Sequence, residues 1–494
     1  MLFRTPFQYV DSYKLSHWLQ YPDNVGKVYS NFTPRKPIDS SRNMFVFFGL
    51  QAFLRKLQGV FRHQFFNLPE STAVSDYAEF YEAFFGVPPE QALIDKVREL
   101  HTFGRLPLEI RALPEGTVVP HGVPVLTVVN TDDRFAWVTN FIESWMSAEL
   151  WGPCTSATTA AMYRAQFDLY AKETSDQDFM PAFQGHDFSF RGMWGLEAAS
   201  MSAAAHLLSF NGTDGCPAFN WIETYYFGDN GFLGTSVPAT EHSVMCAGGK
   251  DDERETFLRL MRLHPKGILS VVSDTWDFWH VVTQILPSIK DEIMARDGKL
   301  VIRPDSSPKT PVEIICGDPY AEEGTPERKG LIRCLHEIFG AEKNSKGYWQ
   351  LDSHIGAIYG DSITLEYQER ILEGLKQAGY SSTNVVLGIG SYTYTYVTRD
   401  THGCAMKATA VVTKDGEIVP IYKSPKTDKG GKKSHRGILA VVERNGWLDV
   451  VQDCSSFDTP GDLLEPVYRN GEILRTQSFA DVRAVLASYM QAKQ

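Results

Sequence analysis

Apolar positions follow two rhythms along this chain. In residues 155–398 they come as short unbroken runs separated by stretches of helical spacing. Ile268-Leu269-Ser270-Val271-Val272, Leu300-Val301-Ile302, Ile355-Gly356-Ala357-Ile358-Tyr359 and Val385-Val386-Leu387 are such runs. Continuous apolar runs of this length are the pattern of parallel strands buried on both faces. Between them, an Ala-rich stretch over 195–210 predicts a closely packed helix that stops at Asn211-Gly212. Thr325-Pro326 puts a capping hydroxyl before a proline at the first helical position. Leu331, Ile332, Leu335, Ile338 and Phe339 then keep amphipathic spacing as far as Gly340, and Ile371, Leu372 and Leu375 mark a further helix. Strand, helix, strand at this rhythm implies parallel pairing through right-handed crossovers.

On either side the rhythm changes. Leu108-Glu109-Ile110-Arg111-Ala112-Leu113 alternates apolar and polar residues, as a half-buried strand does. Pro114-Glu115-Gly116 marks a turn, and Thr117-Val118-Val119 and Val125-Leu126-Thr127-Val128-Val129 continue the sheet pattern. Phe45-Val46-Phe47-Phe48 is a strand candidate running into Gly49, residues 76–85 read as an aromatic helix, and 135–150 return to helical spacing. After Arg399, strands are expected over 408–412, 417–422 and 438–442. The predicted architecture is α/β. Residues 155–398 form a barrel of alternating strands and helices, and 1–154 and 399–494 together form one discontinuous, mostly β domain of α+β character.

Composition narrows the class. A chain of 494 residues is too long for one ordinary core, so two domains or an elaborated barrel are expected. The net charge of −12 argues against a dedicated nucleic-acid binder and makes any anion site a local basic patch. The seven cysteines include no Cys-x-x-Cys pair and their number is odd, which fits reduced cytoplasmic thiols better than a disulfide framework or a zinc site. The segment 1–11 has no basic region followed by an apolar one, so no signal peptide is expected. No apolar stretch is long enough to span a bilayer, and no membrane partner is expected.

In a barrel of this kind the active site lies where the strands end. The four runs end in Ser273-Asp274-Thr275-Trp276-Asp277, Arg303-Pro304-Asp305-Ser306, Gly360-Asp361-Ser362 and Gly388-Ile389-Gly390-Ser391, and His242 stands upstream in Ser236-Val237-Pro238-Ala239-Thr240-Glu241-His242. That set suits a substrate carrying phosphates, a sugar and a metal ion. Arg303 offers a planar fork to phosphate oxygens, and Asp305 can take ribose hydroxyls or a metal. A structural ion pair is the competing reading, and the company of the other polar strand ends favours function. The glycines at 360, 388 and 390 would let a phosphate or sugar press against the backbone, although a plain strand-to-helix turn explains a short Gly-x-Gly equally well. They do not form the dinucleotide fingerprint. Phe188 either stacks on a flat heterocycle or packs in the core, and Arg191 would cover an adjacent phosphate. Asp214 by default is a turn carboxylate. His242 is either a structural imidazole bonded to Asp274 or Asp277, or a nucleophile or acid–base group held by one of them. Residues 423–436, with Lys426, Lys429, Lys432 and Lys433, read as a solvated loop or as an anion-binding lid, and charge alone favours the first.

These motifs resemble the nicotinamide phosphoribosyltransferase family, of type II phosphoribosyltransferases. The resemblance rests on residues 186–192, Gly212-Thr213-Asp214, Ser236-Val237-Pro238-Ala239 with Glu241-His242-Ser243, Ser273-Asp274 with Asp277, Ile302-Arg303-Pro304-Asp305-Ser306, Gly360-Asp361, Thr398-Arg399-Asp400, and Asp11-Ser12-Tyr13-Lys14 followed by Tyr21-Pro22. They stand in the family's order and approximate spacing from about Asp11 into the last strands. The resemblance implies an irregular (β/α) barrel with a second, mostly β domain formed from both chain termini. It implies a homodimer with shared active sites. It implies synthesis of nicotinamide mononucleotide and pyrophosphate from nicotinamide and 5-phosphoribosyl-1-pyrophosphate, in NAD salvage. Mg²⁺ assists, and ATP hydrolysis is coupled through a phosphohistidine.

Roles follow from the same resemblance. Phe188 stacks on the nicotinamide ring, with Tyr13 of the partner subunit on its other face. Asp214 accepts from the carboxamide, Arg191 and Arg303 hold phosphate or pyrophosphate, and Asp305 binds ribose hydroxyls and Mg²⁺. Ser236 and Ser273 belong to the substrate site. Gly360, Asp361, Gly390 and Ser391 line the ribose-5-phosphate pocket. Arg35, Arg399, Lys407 and Lys423 reach in from the partner subunit as phosphate ligands. His242 is the phosphorylated residue and Asp277 orients it. Two departures bear on the 5-phosphate. The turn at 388–392 is poorer in glycine than is common in the family, and Ala405 stands where a serine often precedes the phosphate-binding lysine. Three rivals are considered. A nicotinate phosphoribosyltransferase would meet repulsion from Asp214. A non-catalytic metabolite-binding or signalling protein on the same fold does not explain the intact set of His242, Asp277, Arg303 and Asp305. A barrel aldolase or isomerase would want a lysine or general base at a strand end.

Overall fold

The computed structural model describes residues 4–227, 231–306, 309–360, 362–422 and 434–492. The chain divides into two compact units, one made of residues 1–158, 222–229 and 397–489, the other of 159–221, 230–396 and 490–494. The boundary expected at 154/155 falls inside a continuous helix, Glu143–Thr174, which Pro153 does not end.

The unit built from the termini is organised by a seven-stranded sheet. Its order is Ile418–Pro420, Cys404–Thr413, Val25–Pro34, Leu126–Asn130, Leu108–Ala112, Glu465–Arg469 and Glu472–Ile473. Each of these pairings is antiparallel. Val25–Pro34 pairs along its length with Cys404–Thr413, so hydrogen bonds join the two chain ends. This strand is buried at nine of its ten positions, yet Gly26, Lys27, Asn31 and Thr33 interrupt its apolar run and hide it from the sequence pattern. The core beneath is aromatic, with Phe7, Phe32, Phe47, Phe53 and Phe65 buried and Trp18 stacked on Trp137 at 4.2 Å. Glu115 is buried and accepts from the backbone N–H of Gly49 and Gln51 and from the Tyr226 hydroxyl. These bonds open the helix Leu50–Phe61 and tie Tyr226 to this unit.

The second unit is the barrel. Six parallel strands run in the order Gly212–Thr213, Gly185–Asp187, Val385–Ile389, Ile355–Tyr359, Leu300–Arg303 and Leu269–Val272. The two edge strands do not stay open. Thr235 bridges Gly212 and Ala239 bridges Ser270, both in parallel sense, so the segment around 235–239 closes the curled sheet. The helices Leu196–His206, Glu253–Leu263, Leu331–Phe339 and Leu365–Gln377 belong to this unit. At Thr325-Pro326 the expected cap forms, with Thr325 accepting from Arg328 N–H, but the helix ends at Lys329 and restarts after Gly330, whose φ is +77°. Barrel interiors of this class are ordinarily filled by branched side chains. Here Gly212, Ser270, Gly356 and Ala357 line the interior and leave it hollow.

Candidate active site

A cavity of about 430 Å³ runs the length of the barrel interior. Ile268, Lys299 and Asn384 line it where the strands begin, and Asp214, Phe188 and Arg303 where they end. A broader cleft of about 670 Å³ lies at the strand ends, lined by Arg191, Thr240, Glu241, Asp305, Gly360, Gly390 and Ser391 among others. Phe188, Asp214, Ala239 and Arg303 line both spaces. A flat group inside the barrel and a charged group in the cleft would therefore be joined at Phe188.

The Phe188 ring is held by glycines. A Cβ on Gly388 would come within 2.5 Å of the ring, and one on Gly360 within 3.4 Å. Gly388 thus makes room for an aromatic ring, which corrects the reading of it as bare backbone for an anion. Gly390 has open space around its Cα and does line the cleft.

Asp214 follows the strand Gly212–Thr213. Its Oδ1 accepts from Ser236 Oγ at 2.6 Å and lies 3.0 Å from His186 Nε2. Burial pushes its carboxyl up, but the bonds from His186 and Ser236 outweigh this and hold it below the ordinary aspartate value. It is an ionised acceptor at the junction of the two spaces. Arg303 Nη2 donates to the Thr240 carbonyl at 3.0 Å, which anchors one arm of the fork at the cleft wall.

His242 opens the short helix His242–Cys246 and is half-exposed, with Nε2 3.1 Å from Asp274 Oδ1. The other oxygen of Asp274 accepts from Asp305 N–H at 3.0 Å and from Ser306 N–H and Oγ, each at 2.6 Å. One buried carboxylate thus connects His242 to the loop carrying Arg303 and Asp305. This corrects the expected role of Asp277. Asp277 instead caps the next helical turn, accepting from His280 N–H at 3.0 Å. Ser273 is corrected too. It is fully buried, and its hydroxyl donates to the Val271 carbonyl at 2.8 Å rather than facing substrate. Sequence reasoning missed Ser270, which lies on the cavity wall with its buried hydroxyl lacking a partner among the described residues. A serine inside an otherwise apolar strand was the available signal.

Among the described residues no group of three or more His, Cys, Asp or Glu could hold a metal by itself. Asp305 lies beside Gly360 at the cleft, and no hydrogen bond among the described residues takes up its carboxylate. A Mg²⁺ ion commonly takes one or two carboxylates plus substrate phosphates and waters, so Asp305 fits it only with the substrate's oxygens completing the shell.

The remaining candidates lie in the other unit. Arg35 and Lys407 line a small basic cavity of about 90 Å³ with Thr33, His435 and Ala405. Lys407 Nζ is also 3.5 Å from Glu143. Tyr13 is exposed, and its hydroxyl is pushed up by burial and by the charges of Asp11 and Glu143, with Arg399 opposing. Tyr13, Arg399 and Lys407 therefore share one electrostatic neighbourhood. Asp361 and Lys423 lie outside the described residues.

Residues 183–472 match the nicotinate phosphoribosyltransferase (NAPRTase) family, and residues 7–110 match the nicotinamide phosphoribosyltransferase N-terminal domain. The chain belongs to this phosphoribosyltransferase family. It is 43% identical to a nicotinamide phosphoribosyltransferase of Acinetobacter baylyi, over 100% of this chain and 99% of that protein. It is 34% identical to a protein of the same name from Mycoplasma pneumoniae, over 87% of this chain and 96% of the other. The phosphoribosyltransferase fold is shared with a nicotinate-nucleotide pyrophosphorylase from Pyrococcus furiosus, at a TM-score of 0.58 and 15% identity over 99% of this chain and 95% of that one. It is shared also with human nicotinic acid phosphoribosyltransferase, at a TM-score of 0.53 and 16% identity over 97% and 93%.

Proposed function

We propose that this phosphoribosyltransferase makes nicotinamide mononucleotide and pyrophosphate from nicotinamide and 5-phosphoribosyl-1-pyrophosphate, as a step of NAD salvage. The observation that carries the choice of substrate is Asp214, an ionised acceptor beside the Phe188 ring. A carboxamide offers it an N–H donor. A nicotinate carboxylate would bring a second negative charge against it.

The reaction forms a bond from the pyridine nitrogen to ribose C1 as the bond from C1 to the pyrophosphate oxygen breaks. The leaving group takes the electron pair, and the ring nitrogen becomes cationic. Phe188 orients the ring, and Arg191 and Arg303 stabilise charge arriving on pyrophosphate. Asp305 takes ribose hydroxyls. When bound at Asp305, Mg²⁺ supplies further neutralisation of the pyrophosphate. Gly360, Gly390 and Ser391 flank the ribose-5-phosphate.

The His242–Asp274 pair supports a coupling to ATP. With Nε2–H donating to Asp274, Nδ1 carries the lone pair and attacks the γ-phosphorus of ATP, releasing ADP. The protein acts as a homodimer. Phe190, Trp194, Leu196, Tyr392 and Tyr396 are exposed close to the residues that line the cleft, and a patch of this kind marks an interaction surface. A second copy would cover it and bring Tyr13, Arg35, Arg399 and Lys407. A cytoplasmic location agrees with seven free cysteines.

The test is an assay of purified protein with phosphoribosyl pyrophosphate, Mg²⁺ and either nicotinamide or nicotinate, with and without ATP. Nicotinamide should be turned over and nicotinate scarcely used; equal use of both would refute the substrate. For the dimer, Tyr13→Ala and His242→Ala proteins are mixed under subunit exchange. Recovery of ATP-dependent activity supports shared sites, and its absence despite measured exchange rejects them.

A further inference from the structure

We propose that His186 is a positioning residue that sets the preference for amide over acid, acting through Asp214. The inference rests on the nicotinamide reading above.

His186 is the middle residue of the strand Gly185–Asp187 and lines the barrel cavity. Its ring packs closely on the neighbouring strand, where a Cβ at Gly212 would come within 2.7 Å of Nδ1. The other flank faces Phe188, with ring centroids 4.7 Å apart. The imidazole is thus wedged, its side chain only 12% exposed, while that of Asp214 is 44% exposed. A closely packed ring holds the more exposed carboxylate, with Ser236 as its second partner.

The bonds are one-sided. His186 and Ser236 both engage Oδ1 of Asp214. No hydrogen bond among the described residues takes Oδ2, which is left to accept from a ligand. Nε2 can only donate to an ionised carboxylate, so His186 also keeps Asp214 in its acceptor form. Burial works in the opposite direction on that carboxyl. Without the imidazole, Asp214 would both swing and protonate more readily. A protonated Asp214 carries a donor, and a donor suits a carboxylate substrate. Loss of His186 should therefore weaken nicotinamide binding and narrow the gap to nicotinate.

The experiment compares His186→Phe, which keeps a flat ring without a donor, with His186→Gln, whose amide nitrogen can reach the place of Nε2. Both are measured for KM and kcat on nicotinamide and nicotinate. The parent protein's turnover of nicotinamide is established first, so failure of the substrate reading shows itself separately. His186→Phe should raise KM for nicotinamide on the order of tenfold, with a smaller change in kcat, and should lower the nicotinamide-to-nicotinate ratio of kcat/KM. His186→Gln should restore most of that ratio. Should His186→Phe fail to fold, Ser236→Ala, which removes the exposed second donor, must lower the same ratio. An unchanged ratio in the folded variants, or no rescue by glutamine, overturns the proposal.

Discussion

Two of the histidine–carboxylate pairs in the barrel unit have nearly the same bond and opposite burial. His186 Nε2 is 3.0 Å from Asp214 Oδ1, and His242 Nε2 is 3.1 Å from Asp274 Oδ1. In the first pair the histidine side chain is 12% exposed and the aspartate 44%. In the second the histidine is 47% exposed and the aspartate 4%. The buried member of each pair is fixed by its surroundings, and the exposed member is left to meet a ligand. Asp214 is thus the accessible group of the first pair and His242 of the second. Under the proposed function, the same two side chains would serve as an acceptor for an amide or a nucleophile for a phosphoryl group, according to which one the fold has walled in.

The largest expected effect comes from removing the buried carboxylate. Asp274→Ala leaves the N–H groups of Asp305 and Ser306, the Ser306 hydroxyl and His242 without their acceptor. Stability should fall by about 2–4 kcal/mol, since several donors to one charged group are orphaned together. ATP-dependent phosphate incorporation should disappear with it. His242→Ala should abolish acid-labile phosphate equally, yet cost under about 0.5 kcal/mol of stability because its side chain is half in solvent. It should keep some ATP-independent nucleotide synthesis, because Phe188, Asp214, Arg303 and Asp305 are untouched. Urea unfolding and phosphate incorporation on both variants decide the matter. Equal stability losses would show that burial does not separate the roles within this pair.

A second, smaller effect lies in the other pair. Asp214→Asn replaces an ionised acceptor by an amide that can donate to either substrate. The preference for nicotinamide should weaken by about 1–3 kcal/mol in kcat/KM, the usual consequence of a mispaired polar group in a binding site. Stability should barely move. A preference unaltered by Asp214→Asn would assign the discrimination to other cavity residues such as Ser270 or Arg303.

How far these pairs were legible in the sequence differs with the kind of evidence each needs. The strands Leu300–Arg303 and Ile355–Tyr359 announce themselves as apolar runs, and with them the polar ends that carry Arg303 and Gly360. The strands Gly185–Asp187 and Gly212–Thr213 are three and two residues long and carry glycine and polar side chains, so only their neighbours make them strands. The apolar pattern leaves the partner of His242 open between two aspartates three residues apart, and the family resemblance points to Asp277. Asp274 comes two residues after the strand Leu269–Val272 and accepts from the loop at the next strand end, whereas Asp277 satisfies the N–H of His280 at the start of the following helix. Both are polar residues after an apolar run, and nothing in the one-dimensional pattern tells a carboxylate facing a loop from one facing a helix. Ser273 and Ser270 show the same limit in reverse. The serine at the strand end turns inward to a carbonyl, and the serine within the apolar run reaches the cavity.

The smallest predicted effect concerns Asp277, the aspartate that belongs to neither pair. Its charge acts on Glu253, the first residue of the helix Glu253–Leu263, which is buried with one oxygen lacking a partner among the described residues. Burial first, and Asp277 second, push the Glu253 carboxyl up to about 7. For an acid raised in the folded state the sign is definite. Its contribution to stability is fully present below the unfolded value near 4.5 and is lost as pH rises through about 7. Glu253→Gln cannot ionise, so the variant should gain on the parent between pH 5 and pH 8. The gain should be on the order of 1 kcal/mol, reduced from the full shift because solvent screens part of the interaction with Asp277. Urea midpoints of both proteins at the two pH values measure it. The same change should leave phosphate incorporation on His242 intact, since Asp274 holds that imidazole among the described residues. A variant that tracks the parent at both pH values removes the Glu253–Asp277 interaction from the account. One that loses phosphate incorporation while staying folded would return Asp277 to the neighbourhood of His242.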